Sequence, residues 1–156
     1  MYSKDDSKAT RLEFWKKLES RTRRLPSQKG REKKWILDNT GIKGLDLRFD
    51  VNREYAMVAL EINHSSEDRR LKLFWKLEAC KSLFETAFGM PLKWNLTFMK
   101  DDKNHACRVY TSMSADIYNQ ECWPDVMYFL IDRMIRMETA FLEVKDFLKY
   151  DELGDN

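Results

Sequence analysis

The chain has 156 residues, 43% hydrophobic and 35% charged, with a formal net charge of +2. That balance fits a single soluble, folded domain over 1–156, and no run approaches the roughly 18 apolar residues that a bilayer helix needs, so no membrane-spanning helix is expected. Cys80, Cys107 and Cys122 are scattered without CxxC spacing, which excludes a disulfide scaffold or a zinc knuckle and suits a reducing cytoplasm.

The first ten residues, MYSKDDSKAT, carry no apolar signal-peptide core. Residues 1–34 hold 12 Lys/Arg against 5 Asp/Glu, and residues 35–156 hold 16 against 21. Such a basic segment suits phosphate contact or, more plainly, a solvated helix face. Ser3 or Asp5 caps a first helix running to about Arg23, with Ala9, Leu12, Trp15 and Leu18 as its apolar stripe and Phe14 widening it. Residues 25–30 break the pattern as a loop. Lys34–Leu37 then reads as a short edge strand.

The clearest signal is the alternation from Gly44 to His64. Leu45, Leu47, Phe49 and Val51 alternate with Asp46, Arg48 and Asp50, and Ala56, Val58, Leu60 and Ile62 repeat the pattern. A two-residue hairpin turn within Val51–Glu54 sets Phe49 opposite Ala56 and Leu47 opposite Val58, so all the apolar pairs share one face. The other face collects Asp46, Arg48, Asp50, Tyr55, Met57, Ala59, Glu61 and Asn63.

Ser65 or Ser66 caps a second helix, Glu67 to Phe88, ended by Gly89 and Pro91. Its stripe is Leu73, Phe74, Leu77, Cys80, Phe84 and Phe88. Leu92–Met99 follows as a strand with Leu92, Trp94, Leu96 and Phe98 on one side. After a turn at 101–104, Ala106–Met113 forms another, with either face eligible for burial. A long last helix runs from about Glu121 to Tyr150, with Pro124 in its first turn. Its Met127, Leu130, Met134, Met137, Phe141, Val144 and Leu148 make a three-four seam. Residues 151–156 are expected to fray. The expected fold class is α+β, a mostly antiparallel sheet of about five strands with three main helices, in the order α-β-β-β-α-β-β-α.

Several residues together carry a family resemblance. They are Phe14-Trp15, Trp35, Thr40-Gly41, Arg48-x-Asp50, Glu61-Ile62-x-His64, Phe74, Trp94, Arg108-x-Tyr110, Asn119, Trp123-Pro124 and Phe129. Along essentially its whole length the chain resembles the bacterial family called domain of unknown function 4268. The resemblance implies a fold and no assigned activity.

Two functional readings follow. The first is a small soluble binding module without catalysis or cofactor, engaging a protein partner or its own copy through Met134, Met137, Phe141, Val144 and Leu148, with Trp75 as the best exposed aromatic. The alternative is a divergent restriction-endonuclease-like core that binds or cleaves nucleic acid with Mg²⁺. There Asp46 (or Asp50) and Glu61 are the acids, Asp46 and Glu61 the metal ligands, and Asn63 stands where that core has lysine. Arg48 shares the face, but a permanently charged guanidinium is no general base. His64 has no second histidine or Cys pair at ligand spacing, so it reads as a cap or surface group.

Overall fold

The computed structural model describes residues 4–24 and 39–150. The edge strand expected at Lys34–Leu37 and the tail 151–156 lie outside the described residues. In chain order the elements are α1 (Lys4–Arg23), β1 (Leu45–Val51), β2 (Tyr55–Ile62), α2 (Glu67–Ala79), α3 (Lys81–Phe88), β3 (Lys93–Met99), β4 (His105–Ser114) and α4 (Trp123–Lys149). The strands form one antiparallel sheet in the order β1-β2-β4-β3. The described residues therefore hold four strands and four helices, where about five and three were expected.

The extra helix comes from a break at Cys80. Its backbone leaves the helical region (φ −111°, ψ 26°), and its N–H bonds Leu77 O, ending α2 one residue before α3 begins. The apolar stripe survives the break: Phe74, Leu77, Phe84 and Phe88 are all buried. Ser66 caps α2 by accepting from Arg69 N, and Gly89 closes α3 in the left-handed conformation at φ 100°.

In the β1–β2 hairpin, Asn52 N donates to Tyr55 O, and Asn63 N donates to Gly44 O at the far end. Both bonds belong to one register, with Val51 opposite Ala56 and Leu47 opposite Leu60. The expected register is thus offset by two, which keeps the same residues on the same face. The turn centres on Arg53–Glu54 because Asn52 Oδ1 accepts from Glu54 N and Tyr55 N, replacing backbone acceptors there.

Two faces differ from the alternating pattern. On α1 the buried line is Thr10, Phe14, Leu18 and Thr22, whereas Leu12 is exposed. Thr22 Oγ1 donates to Leu18 O at 3.0 Å, so the hydroxyl enters the interior already satisfied. On β3 a bulge between Asn95 and Phe98 shifts the register by one. Trp94 pairs with Val109, but Phe98 pairs with Ala106, on the face that carries Arg108.

Contacts group the residues into two compact units. One gathers α1, the hairpin tip 49–57 and residues 112–132. It is centred on Phe14, whose ring meets Trp123 edge-on at 5.4 Å, and on the Trp123 indole N–H, which donates to Ile117 O at 2.6 Å. The other gathers the described residues of 39–48, 58–111 and 133–150. There α2 and α3 set Phe74 and Phe84 against Trp94, each at 6.2 Å, and the α4 seam from Met134 to Leu148 is buried.

Candidate functional site

Strand order decides the environment of Glu61. β2 and β4 are the central strands, so both of their faces tend to be covered. Met57, Ala59 and Glu61, which the alternation places on a polar face, are buried. The Glu61 carboxylate has no exposed surface and is surrounded by donors. Arg108 supplies Nε at 2.9 Å and Nη2 at 2.8 Å, both to Oε1. Oε2 accepts from Arg48 Nη1 at 2.8 Å, Asn63 Nδ2 at 2.7 Å and Lys100 Nζ at 3.3 Å.

Asn63 Nδ2 also donates to Asp46 Oδ2 at 2.8 Å, so one amide bridges the two acids. Arg108 is itself held by aromatic rings. Its guanidinium lies 4.1 Å from the Phe98 centroid, and Phe98 meets Tyr110 edge-on at 5.9 Å.

Burial pushes the Glu61 carboxyl upward. The Asn63 hydrogen bond and the charges of Arg48 and Arg108 outweigh it and bring the pKa down to about 2. The group is a permanent anion at neutral pH.

Four expected candidates, Asp46, Arg48, Glu61 and Asn63, are therefore brought together. Asp50 is half-buried and belongs to the other compact unit. The donor set does not fit Mg²⁺. Both Glu61 oxygens already accept from cationic donors, and Arg48, Lys100 and Arg108 outnumber the acids Asp46 and Glu61. A hard divalent cation takes oxygen ligands with free lone pairs and is repelled by such neighbours. Among the described residues no group of three or more His, Cys, Asp or Glu side chains is placed to hold a metal.

His64 is used locally: its Nδ1 accepts from Ser66 N at 2.9 Å, and Arg70 Nη1 donates to its carbonyl at 2.8 Å. Partial burial, then Lys43, Arg69 and Arg70, push its pKa down, favouring the neutral acceptor. Trp75 is half-exposed on α2, whereas Met134, Met137, Phe141, Val144 and Leu148 lie in the interior. The sequence reading missed the roles of Arg108 and Lys100. The available signal was an arginine among apolar residues at the middle of β4.

Fold and cluster together define an antiparallel α+β domain whose central strand buries a carboxylate among three cations. The model of the family described as "Domain of unknown function (DUF4268)" matches residues 10–145, and the chain belongs to that family. No curated protein and no solved structure matches it.

Proposed function

We propose that this domain is a non-catalytic binding module that engages a protein partner through an aromatic corner where α2 meets the end of α4. One observation carries the reading. Trp75, Phe147 and Tyr150 keep 51%, 47% and 62% of their surface exposed, although they are large and apolar. Lys76, next to Trp75, donates to the carbonyls of Phe147 and Tyr150 and lies 5.7 Å from the Phe147 ring. The two helix segments are thereby tied together, and exposed aromatics on a fixed frame are typical interface anchors. The buried α4 seam supports placing the contact here rather than on Met134–Leu148.

Free Cys80, Cys107 and Cys122 suit a reducing bacterial cytoplasm, and no described helix is long and apolar enough to cross a membrane. The test compares the wild type with Trp75→Ala/Phe147→Ala, by affinity capture and by sedimentation velocity. A protein retained by the wild type and lost from the folded double variant supports the reading, and a concentration-dependent dimer lost in the same variant identifies the partner as a second copy. Capture and sedimentation unchanged by the substitutions overturn it.

A further inference from the structure

The aromatic corner has neighbours whose charge is not balanced within the chain. On α4, Asp146, Phe147 and Tyr150 follow Glu143 by three, four and seven residues, so these side chains share one face of the helix. The bond from Tyr150 N to Asp146 O carries the helical geometry through the last of them. On α2, Glu78 follows Trp75 by three residues and lies beside it. Glu78, Glu143 and Asp146 are exposed, and none has a cationic partner among the described residues. The nearby cations do not supply one. Lys76 is half-buried and held on the carbonyls of Phe147 and Tyr150. Lys72 is half-buried too and already engaged within the chain. Lys149 follows Phe147 by two residues, where the helical rotation turns it to the opposite side of α4.

We infer that the corner takes an arginine-bearing segment of the partner protein, which deepens the reading above and rests on it. An exposed ring alone says nothing about the charge of what covers it. Carboxylates interleaved with the rings do, because a docked surface that gave them no counter-charge would desolvate them at a cost. A guanidinium answers both features at once. It stacks on an aromatic face, and it pairs with a carboxylate through two parallel N–H groups. The spacing suits that geometry, since residues three or four apart on a helix have Cβ atoms about 5–6 Å apart. Each carboxylate thus has a ring beside it: Trp75 for Glu78, Phe147 for Glu143 and Tyr150 for Asp146. An acidic segment would instead place like charge against all of them.

The test is fluorescence anisotropy of a labelled peptide of alternating arginine and leucine against the full chain, beside the same peptide with glutamate for arginine. The arginine peptide should bind saturably and the glutamate peptide should not. Trp75→Ala/Phe147→Ala should abolish binding. Glu143→Gln/Asp146→Asn should weaken it about tenfold, through the loss of two exposed ion pairs. Glu121→Gln/Asp125→Asn removes the same charge near the other end of α4 and should leave binding unchanged. The substituted side chains are all exposed, and thermal melts matching the wild type show that the variants fold. Absence of arginine-peptide binding, equal binding of the glutamate peptide, or an equal loss in Glu121→Gln/Asp125→Asn overturns the inference. Repeating the affinity capture with Glu143→Gln/Asp146→Asn separates this inference from the reading beneath it. A captured protein lost with the aromatic substitutions but retained undiminished with Glu143→Gln/Asp146→Asn sinks the arginine assignment alone. Capture that neither variant changes sinks the aromatic corner itself.

Discussion

The Glu61 cluster and the C-terminal end of α1 both gather cationic side chains, and they treat them differently. Around Glu61, the cations Arg48, Lys100 and Arg108 converge on a carboxylate that the chain itself provides. At the end of α1, Lys17 pairs with Glu13, whereas exposed Arg21 and Arg24 have no acidic partner among the described residues. Charge of one sign is informative only when its counter-charge is located. Where the fold supplies the counter-ion the cluster works as architecture, and where it does not the cluster is available to a ligand.

The largest effect expected from breaking this contrast is at Glu61 itself. Glu61→Ala leaves the buried Arg108 guanidinium without its anion, and removing one partner of a buried pair costs about 3–5 kcal/mol. Arg108→Met should cost a similar amount for the converse reason. Lys100→Met should cost less than either, because Lys100 keeps 31% of its side chain exposed and the Glu61 oxygen it leaves still accepts from Arg48 and Asn63. Urea unfolding measures all three. Equal losses at Arg108 and Lys100 would show that Glu61 is not organised around its buried partner.

The next effect depends on pH. Glu61 has a folded pKa of about 2 against an ordinary 4.5. A depressed carboxylate stabilises the fold fully above its unfolded value, and that contribution is lost as pH falls through the folded one. The wild type should therefore lose about 3 kcal/mol between roughly pH 5 and pH 2 from this group alone. Glu61→Gln should start less stable and show a flatter profile across that window. Parallel profiles would remove Glu61 as the source.

Gly44 tests the frame that aligns the cluster. It lies at φ +80°, its carbonyl accepts from Asn63 N at 2.7 Å, and a Cβ there would meet His64 Cβ at 2.5 Å and His64 Cα at 2.8 Å. The left-handed backbone alone costs an L-residue about 1–2 kcal/mol. Gly44→Ala should therefore lower the melting temperature by more than the backbone term accounts for.

Much of this fold was legible from period alone, and the departures share a cause. The hairpin faces followed from Leu45, Leu47, Val58 and Leu60, because alternation fixes the face even when the register is offset. The α1 face was misread because Thr10 and Thr22 hold places in the buried line, and an apolar stripe does not count threonine. Phe98 changed faces at a bulge with no composition signal of its own. Asp46, Arg48 and Asn63 were found with Glu61 because they lie on the same hairpin. Arg108 and Lys100 were not, because they arrive from the β3–β4 hairpin, and the insertion of β4 between β2 and β3 is not written in any local pattern.

The smallest expected effect separates the two clusters most cleanly. Arg21 is exposed and unpaired with any described acid, so Arg21→Met should change unfolding free energy by no more than about 0.5 kcal/mol. Arginine to methionine is the same chemical change at positions 21 and 108. At 108 it leaves a buried carboxylate without its bidentate donor, while at 21 it removes an exposed charge with no acidic partner among the described residues. The free energy of unfolding should fall for one and stay level for the other. If Arg21→Met destabilises the fold by several kcal/mol, its guanidinium neutralises an acid within the folded chain, and the two clusters are then of one kind.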